Sequence, residues 1–232
     1  MNNADRFLGH FNEIEQWLKK RCDQNDWTFI SMIKQLKFTD SIIRQFYDDL
    51  YQFASLRNAI VHTRGVYRVI AEPYDETVAE IEKIKIKLFD PPLVKTFPVL
   101  SLKSDANLDA LLSFVQDHNY SQVPLVDQNE HVIEILSTNT IARWLAAQVK
   151  DDLISLHETK VEHILPYIEF KENYQFISKS ANLYEAAHSF QNFASTNKRN
   201  LDALFVTHSG QQNQKPIGIV CIEDVAGYFY RS

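Results

Sequence analysis

The 232 residues allow two compact domains of ordinary size or one large one. A hydrophobic fraction of 45% beside 23% charged residues excludes wholesale disorder. The net charge of −6 divides unevenly: residues 1–90 carry 13 basic against 14 acidic side chains, and the remainder 11 against 16. Neither half is a basic nucleic-acid clamp, so any RNA or DNA contact must be local.

Between Asp5 and Lys20, the residues Phe7, Leu8, Phe11, Ile14, Trp17 and Leu18 recur every three or four positions, which predicts an amphipathic helix. Ser41 to His62 carries a second stripe of Ile42, Ile43, Phe46, Leu50, Phe53, Leu56 and Ile60, with Thr39 or Asp40 as its cap. Tyr74 to Phe89 predicts a third helix. Only Gly9, Gly65 and Pro73 punctuate the first ninety residues, as suits long helices. Asp90-Pro91-Pro92 then ends helix and domain together.

Beyond the prolines, short β-rich runs alternate with helical patterns: PVLSL, LDALLSFVQDH, VPLVD, VIEIL, then a helix through Ile141 to Val149. The order returns as YQFIS, LYEAAHSFQNF, ALFVT, PIGIVCI and a helix from Glu223. Ala106-Asn107-Leu108 recurs as Ala181-Asn182-Leu183, and Ile135 matches Ile219 later in the unit. The extra residues of the second copy fall in STNKRN and HSGQQNQK, which read as loop insertions. A duplicated unit packs against its twin to bury what one copy cannot. The fold class expected is α+β, an N-terminal α-helical bundle over 1–90 followed by a pair of β-α-β-β-α repeats over 91–232. The repeats are expected at about 93–150 and 158–232.

This second half resembles a tandem pair of CBS domains, the arrangement called a Bateman module. Gly218-Ile219-Val220-Cys221-Ile222-Glu223-Asp224 fits the family's Gly-Ile-Val-x-x-x-Asp pattern, with cysteine where the family favours threonine. Glu134 to Thr140 fits poorly, lacking both the glycine and the aspartate. The resemblance implies an adenine nucleotide (AMP, ADP or ATP) as regulatory ligand in a cleft between the copies. It implies that Asp224 accepts from the ribose hydroxyls, with Ile177, Ala203 and Cys221 lining the cleft. A carboxylate suits a cis-diol through charge-assisted bonds, and equally suits the free N–H groups of a strand-to-helix turn. The equivalent weaker cleft would hold Ser101, Val123, Ser137 and Thr140, with Ser137 also read as a helix cap. Lys198, Arg199 and Lys215 stand in the inserted loops as phosphate partners or as solvated cations.

Leu56-Arg57-Asn58-Ala59-Ile60-Val61-His62 resembles the R-x-x-x-x-H signature of HEPN domains, helical bundles found in ribonucleases and in non-catalytic relatives. For catalytic members the resemblance implies metal-independent RNA cleavage. Histidine would transfer the proton and arginine would stabilise the charged phosphate. Arg57, Asn58 and His62 would be the site. Arg57 and His62 stand about 140° apart around a helix and about 7.5 Å along it, whereas Asn58 and His62 share a face. The plain alternative pairs Arg57 with Glu13 or Glu15 and lets His62 end its helix. Arg64 and Arg68 add positive charge after the motif.

No P-loop, dinucleotide, zincin or hydrolase-elbow motif occurs, and two cysteines without C-x-x-C spacing make no metal or disulfide framework. His157 and His163, six apart, predict a solvated inter-repeat helix rather than a metal face. No apolar run approaches the roughly 18 to 20 residues of a membrane span. MNNADRFLGH lacks the form of a secretory leader, so a cytoplasmic protein without membrane partner is expected. The resemblances and the 28 aromatic residues also point to a homodimer. The function expected is nucleotide-responsive regulation of the helical half, and the alternative is a nucleotide-gated ribonuclease.

Overall fold

A computed structural model describes residues 2–22, 26–62, 71–149 and 154–229. The chain forms two compact units: Met1–Pro92 with Asn182–His188 and Tyr228–Ser232, and Leu93–Ala181 with Ser189–Gly227.

The first unit is helical. α1 (Asn3–Cys22) turns Ala4, Phe7, Phe11, Ile14 and Leu18 inward. α2 (Phe29–Leu36) adds Met32 and Ile33, and α5 (Asp75–Phe89) adds Val78, Ile81, Ile84 and Leu88. Aromatic edges and faces join these helices, with Phe11 stacked on Phe29 at 4.3 Å and Phe7 edge-on to Phe53 at 5.8 Å. α1 starts against a distant partner: Glu72 Oε1 accepts from the N–H groups of Asn3 and Ala4.

Two expectations change here. The helix over 41–62 is two helices, α3 (Ser41–Gln45) and α4 (Tyr47–His62), because Phe46 sits at φ −109°, ψ 21°. Asp40, not Thr39, caps α3; its Oδ1 accepts from Ile42 N and Ile43 N, each at 3.0 Å. α2 was not predicted, although Thr28 caps it by accepting from Ser31 N at 3.2 Å. Eight residues give too short a stripe to stand out by period. Arg64 and Arg68 lie outside the described residues.

The second unit holds two three-stranded sheets of one topology. In the first, β1 (Leu102–Lys103) runs parallel to β2 (Gln122–Val126), which pairs antiparallel with β3 (Val132–Ser137). Between them, α6 (Leu108–His118) provides the crossover, and α7 (Thr138–Ala147) follows β3. In the second, β4 (Tyr174–Ser178) is parallel to β5 (Ala203–Thr207), and β5 is antiparallel to β6 (Gly218–Val220). Between β4 and β5 the chain runs through α8 (Leu183–Asn197), whose residues up to His188 are counted with the first unit. Strand alternation divides the core. Val123, Leu125 and Leu136 pack with Leu108, Leu111, Ile141 and Trp144. Val126, Val132 and Ile135 meet Tyr174, Ala203 and Phe205 of the second sheet.

Several segments depart from expectation. PVLSL contributes only Leu102 to β1, because the chain before it is bound elsewhere: Phe97 N donates to Ile217 O at 2.8 Å. Part of STNKRN is helix, since α8 continues through Ser195 and Asn197, whose side chains donate to the carbonyls of Asn192 and Phe193. The last element, Ile222–Tyr228, is a 3₁₀ helix. The region of His157 and His163 is a turn followed by two short 3₁₀ turns, with His157 Nδ1 3.0 Å from Asp109 Oδ2. Among the described residues, no helix is long and apolar enough to cross a membrane, and no His, Cys, Asp and Glu group could hold a metal.

Candidate ligand clefts

Gly218 explains how one cleft of the two-sheet unit is shaped. A Cβ on Gly218 would lie 2.6 Å from the carbonyl oxygen of Lys95. The chain leading into the first sheet therefore crosses β6 at backbone contact and is pinned there by the Phe97–Ile217 bond. The matching position of the first sheet holds Glu134 instead. Its carboxylate is buried and accepts from the backbone N–H groups of Ile135 and Glu172. A glycine serves where backbone must approach, and a glutamate where the neighbouring N–H needs an acceptor.

Around this crossing lies a cleft of about 360 Å³ lined by Phe97–Leu100, Asn119–Gln122, Pro124, Ile219, Cys221 and Asp224. Most of the wall is apolar; the exposed ring of Tyr120 offers a flat face, and the exposed side chain of Leu100 adds aliphatic surface. Asp224 is its one carboxylate. Asp224 Oδ2 accepts from Cys221 N at 2.8 Å, the reciprocal half of a capping box. Oδ1 has no protein donor among the described residues, and the side chain is exposed. Burial, then the charges of Asp224, Glu223 and Asp202, push the Cys221 thiol up to about 11, so it stays protonated at neutral pH and is no nucleophile.

A smaller cleft of about 180 Å³ includes Ile135, Ser137, Thr140, Arg143, Asn173 and Asp202. Ser137 caps α7 by accepting from Thr140 N at 3.2 Å, and the two hydroxyls lie 3.0 Å apart. Arg143 is paired with Glu169. Gln122 lines both clefts and donates from Nε2 to Asp202 Oδ1 at 3.0 Å.

The structure thus keeps Cys221 and Asp224 together, and Ser137 and Thr140 together, while four expected residues move. Ala203 and Val123 are buried in the sheet cores, because their strands turn them inward. Ile177 lies on β4, and Ser101 lines a different cleft beside Lys179. In their place stand Phe97–Leu100, Tyr120 and Gln122, which belong to the lead-in chain, to the loop after α6 and to the start of β2. The strand-end motif gave no signal for these. Of the loop cations, Lys215 pairs with Glu130 at 2.7 Å, and Arg199 lies over the rings of Phe170 and Phe193. Lys198 adopts φ 57° just after α8.

Burial raises the carboxyl of Asp202 above its ordinary value of 3.8, against the lowering bonds from Asn173 and Gln122. A raised carboxyl favours folding only while protonated, so its contribution is complete below 3.8 and lost as pH rises through the raised value. Asp202→Asn, which keeps the acceptor for Gln122, should raise the urea midpoint at pH 7 and leave it nearly unchanged at pH about 3.5. Equal effects at both pH values would contradict this.

The helical unit has its own cleft of about 380 Å³, lined by Phe11, Glu15, Thr28–Ile30, Ala54, Arg57 and Asn58. Arg57 does not pair with the expected carboxylates among the described residues. Its Nη1 donates to Asn58 Oδ1 at 3.3 Å, while Glu13 binds Lys85 and Glu15 lies near Lys19. His62 ends α4, and its side chain lies outside the described residues.

The family model described as CBS domain matches residues 94–147, so a CBS domain is present there. No curated protein matches the chain. Among solved structures, the CBS domain of a CBS domain containing membrane protein from Sphaerobacter thermophilus is similar at 14% identity. That match covers 65% of this chain and 96% of that one, with a TM-score of 0.44. A CBS-domain containing protein, ATU1752 from Agrobacterium tumefaciens, is similar at 15% identity over 57% and 84% of the two chains, with a TM-score of 0.40. CBSX2 in complex with AMP is similar at 20% identity over 57% and 90%, with a TM-score of 0.39.

Proposed function

We propose that the protein is a ligand-responsive regulator. The CBS domain and the second sheet act as a tandem pair, bind an adenine nucleotide in the Asp224 cleft, and control the helical unit. One observation carries this reading. Asp224 spends one oxygen on the turn and leaves the other open beside an apolar cleft. The fixed carboxylate would accept from ribose hydroxyls, and the apolar wall with Tyr120 would take the base. Neither role excludes the other, since capping engages one carboxylate oxygen and a carboxylate has two. Binding regulates only if the nucleotide prefers one of two arrangements of the protein, so the helical unit is the natural place for the output. The test is a thermal-shift series with adenosine, AMP, ADP and ATP on chain refolded to remove carried-over ligand. Stabilisation by at least one of them is expected, and its absence for all four at millimolar concentration would defeat the proposal.

We take the working form to be a homodimer. Light scattering should return twice 27.0 kDa, about 54 kDa, at micromolar concentration; a monomer mass would contradict it.

A second reading rests on the helical cleft, where Arg57 and Asn58 stand beside Glu15. In it the bundle is a HEPN-like ribonuclease acting without metal. Single-stranded and structured RNA incubated with the protein in chelator decides the matter. Cleavage lost in both Arg57→Ala and His62→Ala would establish this reading, and intact RNA would remove it.

A further inference from the structure

A third cleft of the two-sheet unit, about 560 Å³, differs from the two discussed above. It lies at the other ends of the strands, where the β2–β3 turn and the β5–β6 hairpin face each other. Its lining brings together Lys179, His208, Lys215 and Glu130, with Ser101 and Phe97 beside them. The residues after Asp90 are strongly acidic as a group, so two ammonium groups and an imidazole around one carboxylate form a local exception.

Both rims are held in place. Asp127 Oδ1 accepts from Asn129 N and His131 N, each at 2.8 Å, which fixes the turn that carries Glu130 at φ 64°. Across the cleft, Gln214 Oε1 accepts from Ser209 N at 2.9 Å. Gly210 there has φ 77°, and a Cβ on it would come within 3.1 Å of Ser178 N, so this hairpin also has little freedom. Lys215 Nζ is held by Glu130 Oε2 at 2.7 Å. Lys179 Nζ and the His208 ring have no partner among the described residues.

We propose that this cleft, which adjoins the Asp224 cleft along Phe97–Val99 but has its own polar groups, is a second binding site, for a small phosphate-bearing anion. Lysines act as point charges with three donors each, which suits the several oxygens of a phosphate better than a single carboxylate. The volume falls in the range of small-molecule sites. Lys179 and Lys215 bind the anion from the two sides of the hairpin base, His208 adds a ring N–H, and Phe97 supplies an apolar wall. Glu130 competes for Lys215, so it sets the affinity and releases the lysine when the anion arrives.

The test uses inorganic pyrophosphate on the full chain, followed by calorimetry and by amide shifts in NMR. Saturable binding is expected, with shifts at residues 179, 208 and 215. Lys179→Ala and Lys215→Ala should each weaken it by roughly tenfold, the effect of one charge-assisted hydrogen bond. Glu130→Gln should tighten it by several-fold, and Glu158→Gln, an exposed carboxylate outside the cleft, should not. Saturating adenosine should leave it unchanged. No saturation by about 10 mM would overturn the proposal, as would unaltered affinity in the lysine variants. Equal tightening by the two glutamine variants would reduce it to general charge attraction, and displacement by adenosine would assign the phosphate to the nucleotide cleft.

Discussion

Gly218→Ala is expected to destabilise the two-sheet unit by about 1–3 kcal/mol, the usual cost of forcing atoms into filled space. The added Cβ meets the backbone oxygen of Lys95 at 2.6 Å, and the side chain of Val206 lies only 3.2 Å away on the other side. A flexible side-chain tip could swing aside, but a carbonyl fixed by the neighbouring Phe97–Ile217 bond cannot do so cheaply. Gly9→Ala provides the opposite sign. It sits inside α1 with nothing within 4 Å of a new Cβ, so alanine should stabilise by about 0.5–1 kcal/mol through helix propensity. Urea unfolding of the two variants checks both. A neutral Gly218→Ala would mean that the lead-in chain does not hold to β6 in solution.

The second large effect concerns Asp224. Asp224→Ala removes the acceptor of Cys221 N and should lower the apo protein's stability by about 1 kcal/mol, as the loss of a cap does. Asp224→Asn keeps a carbonyl acceptor for that N–H and should restore most of this loss. Both changes remove the charge, and each should weaken adenine nucleotide binding by about 1.5–3 kcal/mol, or roughly 10- to 150-fold. Thr140→Ala, in the smaller cleft, should leave the affinity unchanged. Calorimetry separates the two roles of the aspartate. If it only caps the turn, Asp224→Ala lowers the melting temperature while affinity stays at the wild-type value.

Much of the secondary structure was legible because it follows local rules. α1, α5, α6 and the core of α8 announced themselves by period, and the β5 and β3 runs by their β-branched and apolar content. Ser137 was readable as a cap from its place between strand and helix. The break at Phe46 was not, because the stripe of apolar residues continues across it. The cleft was half legible. Cys221 and Asp224 belong to one motif at the end of β6, and the chain orders them together. Tyr120, Gln122 and Phe97–Leu100 come from segments about a hundred residues earlier, and only the packing of the two sheets brings them to Asp224. Ala203 misled for a related reason: strand alternation decides which face a residue joins, and here it sends that side chain into the core beside Phe205. The departure at Glu134 looked like motif decay in sequence, yet the carboxylate has its own work in binding Glu172 N.

Occupancy of the Asp224 cleft by an adenine nucleotide is what the proposed regulation depends on. Amide NMR of the isotopically labelled full chain, titrated with AMP after refolding, tests it most directly. Saturable shifts are expected at Leu100, Tyr120, Gln122, Ile219, Cys221 and Asp224, with little change around Ser137 and Thr140. Saturable shifts centred on Ser137 and Thr140, or none anywhere at millimolar AMP, would contradict it.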